Sequence, residues 1–276
     1  MPKKVSLKKI NNLLIILLLL LVAFNFYETI KLKEKLAQGN AATQTPATPA
    51  PETPKGNVTA TILSDRTCTS CINMSMTVEQ FQLAGVAIKS QQTVDTGSAE
   101  GKQLIQKYSI KTIPTLILSN EIKDYSQITG FWAQVGTVEA DGNYVTRTVS
   151  PPYINLTTGK TAGLVELTVL TDKSCSACYN ASEHLLILES MGITLAKTTY
   201  TDIAGAEGKQ LITKYKITAA PTIMLSADAK YYSSLQSSWT VVGTVEADGT
   251  HVFRNFTAWT GNQTYKDLTT GKTVTG

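Results

Sequence analysis

The four cysteines of this chain form two pairs with the same short spacing. The pairs are Cys68-Thr69-Ser70-Cys71 and Cys175-Ser176-Ala177-Cys178. Four cysteines in 276 residues are too few to staple a small secreted fold, so the pairs point to redox or metal chemistry. Each pair alone has the spacing for thiol–disulfide exchange, whereas both pairs together have the ligands for a four-thiolate zinc site.

The segments around each pair predict the elements that would position it. Strands are predicted at 58–63 and 165–170, and helices are predicted at 71–83 and 178–190. The first cysteine would then lie at a helix N-terminus, where the helix dipole favours a thiolate. We therefore predict that Cys68 and Cys175 are the nucleophiles. Cys71 and Cys178, one helical turn later, would resolve the mixed disulfide.

An internal repeat contains both cysteine pairs. Cys68 and Cys175 are 107 residues apart, and so are Pro114 and Pro221. The string EGKQLI begins at 100 and 207, VGTVEADG begins at 135 and 242, and LTTGK begins at 156 and 268. A period this long indicates a duplicated domain rather than a solenoid. The predicted domains are 57–163 and 164–276, and the second copy carries five extra residues before its LTTGK string.

The remainder of each copy predicts an α/β fold. Further strands are predicted at 86–94 and 193–201, helices at the EGKQLI strings, and strands after the prolines at 116–119 and 223–226. Asp-Gly steps at 141–142 and 248–249 predict β-hairpins with strands at 134–139, 144–149, 241–246 and 251–256. The expected architecture is a central mixed sheet with flanking helices and a C-terminal hairpin in each copy.

These features together resemble the thioredoxin superfamily. The resemblance is carried by a Cys-x-x-Cys after a strand and by a proline that opens a strand 43 residues after the second cysteine. The two proline motifs are Ile113-Pro114-Thr115 and Ala220-Pro221-Thr222. The doubled arrangement looks like protein disulfide isomerases and the two-domain archaeal protein disulfide oxidoreductases.

The resemblance implies a mechanism and a substrate site. Pro114 and Pro221 would follow cis peptide bonds and face the cysteine pairs, and the backbones of Ile113 and Ala220 would dock an extended substrate. The implied activity is thiol–disulfide exchange with redox-active disulfides and no other cofactor. Two family features are absent, because Thr67 and Ser174 replace the usual tryptophan and Ile62 and Val169 replace the buried acid. These departures leave the direction of electron flow open.

The N-terminal segment predicts a membrane anchor. Residues 13–24 are unbroken apolar and follow Lys3, Lys4, Lys8 and Lys9. We interpret residues 1–12 as a basic cytoplasmic tail, 13–30 as a single transmembrane signal anchor, and 31–56 as an Ala/Thr/Pro-rich linker. A cleaved signal peptide is the alternative. Either interpretation places the cysteine pairs outside the cytoplasm, at the cell membrane in the anchored case.

The charge distribution and the location suggest the partners. After residue 27 the chain has 21 basic and 21 acidic residues, and this balance argues against nucleic acid as a partner. The expected partners are cysteine-containing extracytoplasmic proteins and a membrane redox partner that restores the sites. Six Asn-x-Ser/Thr sequons agree with an outside location. Their asparagines are Asn57, Asn73, Asn155, Asn180, Asn255 and Asn262.

Two other functions remain open at this point. A zinc site shared by both pairs would require the two copies to face each other, and the two histidines, His184 and His251, do not recur with the repeat. A non-catalytic, glycosylated binding module with structural disulfides is the second alternative. The small loops closed by Cys-x-x-Cys argue against it, because they remove little unfolded-state entropy.

Overall fold

The same order of strands and helices occurs twice along the chain. The computed structural model describes residues 55–255 and 263–275, and the predicted tail, anchor and most of the linker lie outside the described residues. The first half contains β1 (Val58–Ser64), α1 (Met74–Leu83), β2 (Ile88–Asp95), α2 (Ala99–Tyr108), β3 (Thr112–Ile113), β4 (Thr115–Leu118), α3 (Ser126–Val135), β5 (Gly136–Val138), β6 (Tyr144–Thr146), β7 (Tyr153–Asn155) and β8 (Lys160–Ala162).

The second half repeats these elements in the same order. It contains β9 (Val165–Thr171), α4 (Glu183–Ser190), β10 (Leu195–Asp202), α5 (Ala206–Tyr215), β11 (Ala219–Ala220), β12 (Thr222–Leu225), α6 (Ser233–Val242), β13 (Gly243–Val245), β14 (His251–Phe253), β15 (Thr264–Asp267) and β16 (Thr273–Thr275). Short 3-10 helices, Asn120–Asp124 and Ala227–Tyr231, precede α3 and α6. Among the described residues, no helix is both long and apolar enough to cross a membrane.

Each half is built on a five-stranded mixed sheet. The strand orders are β2-β1-β4-β6-β5 and β10-β9-β12-β14-β13. β1 pairs with β2 in parallel and with β4 antiparallel, in a register that sets Ile62 opposite Leu116. β9 repeats this arrangement, with Val169 opposite Ile223. The predicted mixed α/β architecture is therefore present in both halves.

The central strands of both sheets are covered on both faces. Every residue of β4 and β12 is buried, as is typical of a strand packed between two layers. In the first half, one apolar cluster includes Leu116, Leu118 and Trp132, and another includes Leu63, Ile113 and Ile117. The second half has two corresponding clusters. The cysteine turns therefore rest on a core packed on both sides of each sheet.

The repeated EGKQLI string marks a close approach of a helix to a strand end. Gly101 in α2 lies against the end of β2, and a Cβ atom there would be 2.1 Å from the backbone oxygen of Asp95. Gly208 has the same relation to Asp202, also at 2.1 Å. Any larger residue at either position would push the helix off the sheet, so this glycine is a packing requirement rather than a sign of catalysis.

The repeated VGTVEADG string forms the predicted hairpins. Trp132 is buried, and its indole N–H donates to the Thr137 backbone oxygen at 3.1 Å. Arg147 forms an ion pair with Glu139 across the hairpin, with 2.7 Å between nitrogen and oxygen. Trp239, Arg254 and Glu246 repeat these contacts in the second half. The hairpin strands are shorter than predicted. The first strand of each hairpin begins late because α3 and α6 extend to Val135 and Val242, and the second strands end at Thr146 and Phe253.

The helices that follow the cysteine pairs begin later than predicted. α1 begins at Met74 rather than Cys71, and α4 begins at Glu183 rather than Cys178. Asn73 caps α1, because its side-chain oxygen accepts from the Ser75 backbone N–H at 2.9 Å. Asn180 holds the corresponding segment in a turn by accepting from Ser182 at 3.0 Å. The Asn73 cap fixes the start of α1, and the Asn180 turn keeps its segment out of α4.

A second hairpin in each half was not predicted. β7 pairs with β3 and with β8 in a three-stranded sheet of order β3-β7-β8. β15 likewise pairs with β11 and with β16, in the order β11-β15-β16. We call residues 152–162 and 264–275 the straps of the first and second halves. Only three or four residues pair in each strap strand, so the local sequence pattern is too short to predict these strands.

Removing a buried tyrosine hydroxyl should weaken the frame. The Tyr232 hydroxyl donates to the Gly163 backbone oxygen at 2.6 Å and accepts from the Thr194 N–H at 3.0 Å. We expect Tyr232→Phe to lower the free energy of unfolding by ~1–3 kcal/mol, because both backbone groups lose a partner. Denaturant titration measures the change, and the exposed Tyr200→Phe is the matched control. Equal midpoints for the two variants would contradict this account.

Candidate functional site

Each cysteine pair is closed as a disulfide on a turn between a strand and a helix. Cys68 is bonded to Cys71 and Cys175 to Cys178, with 5.4 Å between the two Cα atoms in both cases. All four cysteines are partly exposed. The Cys68 N–H donates to the Asp65 backbone oxygen at 3.1 Å, and the Cys175 N–H donates to that of Asp172 at 3.1 Å. Solvent can therefore reach both disulfides.

The expected helix-dipole activation of the first cysteines needs correction. Cys71 and Cys178 each close a turn. The Cys71 N–H donates to the Cys68 backbone oxygen at 3.4 Å, and the Cys178 N–H donates to the Cys175 backbone oxygen at 3.3 Å. Neither pair is inside a helix, because α1 and α4 begin only after the asparagine turns. The dipole effect falls off within one helical turn. A thiolate at Cys68 or Cys175 would depend more on turn N–H groups and on nearby side chains.

The proline bonds have the conformation that the thioredoxin resemblance implied. Ile113–Pro114 and Ala220–Pro221 are both cis. Pro114 lines a cavity of about 180 Å³ together with Cys68 and Cys71, so proline and disulfide face the same space. A third cis bond, Pro151–Pro152, lies at the start of the first strap and was not predicted.

The straps cover the backbone edges that were predicted to dock substrate. Ile113 lies opposite Ile154 of the strap, and Ala220 lies opposite Lys266. The Leu156 N–H donates to the Lys111 oxygen at 2.8 Å. Because hydrogen-bonded pairs alternate along an antiparallel ladder, the Ile113–Ile154 pair also falls at a hydrogen-bonded position. In this conformation, an intramolecular strand occupies the edge that was predicted to dock a substrate.

The straps also contact the cysteine turns directly. The N–H of Ile72, which follows Cys71, donates to the Pro152 backbone oxygen at 3.2 Å. In the second half, the Tyr179 N–H donates to the Thr264 oxygen at 2.8 Å. Each strap therefore bridges the space between a disulfide and its cis proline, and no local sequence signal indicated this contact.

The space beside the two disulfides differs between the halves. In the first half, the cavity beside Cys68 and Cys71 is also lined by the exposed Ile72 and by Asn73. Tyr179 occupies the position of Ile72 in the second half, and it is buried. Its hydroxyl donates to the Pro221 backbone oxygen at 3.1 Å. A tyrosine ring thus reaches the cis proline of the second half, whereas the first half has an open cavity there.

His184 supports this tyrosine from α4. Its Nε2 lies 3.3 Å from the Tyr179 hydroxyl, and its ring stacks at a tilt on Phe253 with 4.7 Å between centroids. Burial lowers the pKa of His184 to about 4, so the imidazole is neutral at pH 7. Burial also raises the pKa of Tyr179. His184 is therefore a packing residue.

The acids before the two pairs cap the cysteine turns. The Asp65 carboxylate accepts from the Thr67 N–H at 2.8 Å and from its hydroxyl at 2.6 Å, and these bonds lower the pKa of Asp65. Asp172 accepts the same two bonds from Ser174, at 2.9 and 2.6 Å. Lys266 of the strap contacts Asp172 in addition, at 3.1 Å.

Metal ligands are not clustered around either disulfide. Within residues 55–255 and 263–275, no group of three or more His, Cys, Asp or Glu side chains is arranged to hold a metal ion. The four cysteines are also committed to two disulfides, one in each half. A shared four-thiolate site would require both bonds to be reduced and both turns to move together.

Comparison with known proteins finds distant structural likenesses. Neither a protein-family model nor a curated protein matches the sequence. A structure of the Enterococcus faecalis alkylhydroperoxide reductase AhpF, a C503A mutant, is 13% identical over 61% of this chain and 81% of its own, with a TM-score of 0.18. The NTD_N/C domain of the same protein is 12% identical over 62% and 82%, with a TM-score of 0.17.

Mild acid should destabilise the protein through His184. The unfolded chain binds a proton at His184 below about pH 6.5, whereas the folded chain does so only below about pH 4. The free energy of unfolding should therefore fall by roughly 3 kcal/mol as the pH drops through this window, and level off below it for this group. Burial also lowers the pKa of His251, which adds loss of the same sign.

Urea titrations at several pH values would measure this dependence. A His184→Leu variant should show a shallower slope between pH 6.5 and 4 than the unaltered chain, with the His251 contribution retained. Parallel slopes for the two proteins would mean that His184 is protonated in the folded state or is accessible to water.

Proposed function

We propose that this chain is a membrane-anchored, extracytoplasmic thiol–disulfide oxidoreductase that introduces or rearranges disulfides in secreted proteins. The observation that carries the proposal is the duplicated pairing of a solvent-accessible Cys-x-x-Cys disulfide with a cis proline after β3 and β11. A purely structural disulfide that closes so short a loop would stabilise the fold little. The repetition of the disulfides with the cis prolines is better explained by exchange chemistry.

The proposed reaction moves two electrons from a substrate dithiol to one pair. A substrate thiolate attacks Sγ of Cys68, the Cys68–Cys71 bond breaks, and Cys71 leaves as a thiolate. The second substrate thiolate then attacks the substrate sulfur of this mixed disulfide. The substrate leaves with a disulfide, and Cys68 and Cys71 remain as a dithiol after taking up the two protons that the substrate lost. Cys175 and Cys178 would act in the same way.

Catalytic turnover requires a partner that accepts these electrons. The pairs themselves serve as the redox group, so the proposal includes no further cofactor. A membrane redox protein would reoxidise the dithiols for net oxidation, whereas isomerisation needs the reduced form and no net electron flow. The location rests on the apolar run at 13–24 and the lysines before it.

The straps favour a second candidate function. They pair with the backbone edges at Ile113 and Ala220, so these edges are occupied in this conformation. A binding module with structural disulfides would have no need for a free edge. An exchange enzyme would have to displace the strap or bind its substrate through side chains around the disulfide.

Redox titration of the full-length chain in detergent separates the two candidates. We expect each pair to titrate reversibly as a two-electron couple between about −120 and −230 mV in glutathione buffers, read by thiol labelling and mass spectrometry. Cys68→Ser and Cys175→Ser should each remove one couple and roughly half of the exchange rate if the sites act independently. Pairs that stay oxidised below about −300 mV would support the binding module.

Loosening the first strap should expose the backbone edge at Ile113 that the strap covers. Ile154→Pro removes the N–H that faces Ile113, so pairing should weaken by ~0.5–1.5 kcal/mol. We expect faster formation of the mixed disulfide between Cys68 and a cysteine-containing peptide, with no change at Cys175. Ile154→Ala is the matched control, because it trims the side chain and keeps the N–H.

The comparison of these two variants is the decisive one. Equal rates for the proline and alanine variants would show that the strap does not limit access to Cys68. Slower reaction in both would indicate that the strap helps to hold the site rather than to cover it.

A further inference from the structure

One strap position carries different side chains in the two halves. Ile154 lies opposite Ile113 in the first half, and Lys266 lies opposite Ala220 in the second. Ile154 packs against the apolar cluster that includes Leu63 and Ile113. Lys266 instead extends to the turn that holds Cys175. The two halves therefore share a backbone frame but differ in charge at equivalent positions.

Lys266 contacts both ends of the cap on the Cys175 turn. Its ammonium nitrogen lies 3.1 Å from Oδ2 of Asp172 and donates to the Ser174 hydroxyl at 3.3 Å. The Asp172 side chain is only 3% exposed, so this carboxylate is shielded from water. The backbone oxygen of Asp172 also accepts from the Cys175 N–H at 3.1 Å. The ion pair is thus built into the turn that carries the cysteine.

The pKa of Asp172 reflects this environment. Burial raises the pKa, but the hydrogen bonds from Ser174 and the Lys266 ammonium outweigh it and hold the pKa below its ordinary value. The carboxylate is therefore charged at neutral pH. Without the ammonium, a buried negative charge would lie next to the residue proposed as nucleophile.

Other charged or titratable groups belong to the elements around the same turn. They are Lys173 on the turn, Asp202 at the end of β10, and Glu183 and His184 on α4. Asp202 accepts from the Lys173 backbone N–H at 3.0 Å, so its carboxylate is engaged with the turn backbone. His184 is neutral at pH 7 because burial lowers its pKa to about 4. Lys266 is the cation whose contact with the buried carboxylate is direct.

The first half has a different arrangement around its acid. Asp65 accepts its hydrogen bonds from Thr67, and the strap contributes the uncharged Ile154. The Arg66 side chain is 83% exposed and forms its ion pair with Asp95, at 3.6 Å, rather than with Asp65. A surface pair of this kind contributes little. The first cysteine turn therefore lacks the lysine that the second one receives from its strap.

We propose that Lys266 is a positioning residue that neutralises Asp172 and thereby favours the thiolate of Cys175 over that of Cys68. The functional meaning of this role rests on the exchange chemistry proposed above. The thiol pKa values that test it can be measured whether or not the chain catalyses exchange. A cation next to a thiolate lowers the thiol pKa, and an unpaired carboxylate raises it. A more acidic thiol stabilises the reduced pair, so the second disulfide would be the stronger oxidant.

Exchanging the two strap residues tests this assignment. The background is the full-length chain with Cys71→Ser and Cys178→Ser, which leaves Cys68 and Cys175 as free thiols on separate peptides. The pH dependence of alkylation, read by mass spectrometry, gives each thiol pKa. Lys266→Met should raise the Cys175 thiol pKa by roughly one unit and leave Cys68 unchanged. Lys266→Arg should retain the original value.

The reciprocal variant, Ile154→Lys, supplies a gain of function. It should lower the Cys68 thiol pKa, because it places an ammonium at the strap position equivalent to that of Lys266, and leave Cys175 unchanged. If Lys266→Met does not fold by circular dichroism, the Lys266→Arg and Ile154→Lys measurements still decide the matter. Equal thiol pKa values in the lysine, arginine and methionine proteins would overturn the proposal, as would an unchanged Cys68 in Ile154→Lys.

The outcome is separable from that of the proposed function. If the thiol pKa values shift with the expected sign in a protein that has no exchange activity, the role of Lys266 is upheld and the proposed oxidoreductase activity is rejected. Normal exchange activity with unshifted thiol pKa values would support the enzyme and reject the role of Lys266 in thiol acidity. Lys266 would then be a contact that only holds the strap.

Discussion

The pairing of each strap with the short strand before its cis proline is the interaction on which both sites depend. Strands β3 and β11 are only two residues long, and their backbone groups need partners where they are shielded from water. The straps supply those partners. The same segments then reach the residue after each second cysteine, so disulfide, proline and strap are held as one unit in each half.

Comparison of the two halves distinguishes residues that hold the fold from residues that surround the disulfides. The residues that recur at equivalent positions fasten the frame: Gly101 and Gly208 against strand ends, and Trp132 and Trp239 under the hairpins. Several residues that differ lie on the cysteine turns or on the straps that cover them. Ile72 and Tyr179 set the space beside the cis proline, and Ile154 and Lys266 set the charge. A single fold thus presents two disulfides in different surroundings.

The position of the cysteines relative to the helices changes the account of their reactivity. In the helix-first arrangement expected from the sequence, a dipole would activate both first cysteines alike. The turns that Asn73 and Asn180 form delay the helices instead, so local side chains gain influence over each thiol. Differences such as Lys266 can then distinguish two sites whose backbones are the same.

Much of this organisation is readable from the order of residues alone. The Cys-x-x-Cys spacing, the 107-residue period and the Asp-Gly steps identified two α/β halves, the central strands and the first hairpins, because these signals are local or repeated. The cis bonds at Pro114 and Pro221 followed from the family resemblance. Local patterns missed α3 and α6, since Ser126–Val135 carries weak helix signals and ends in a strand-like run.

The straps and their consequences lie beyond such patterns. Their strands are too short to show a period, and their partners, Thr112–Ile113 and Ala219–Ala220, are about 40 residues or more away in the chain. The burial of Asp172, its contact with Lys266 and the placement of Tyr179 at Pro221 all arise when the chain folds back over itself. Long-range pairing of backbone groups, rather than local propensity, therefore decides what surrounds each disulfide.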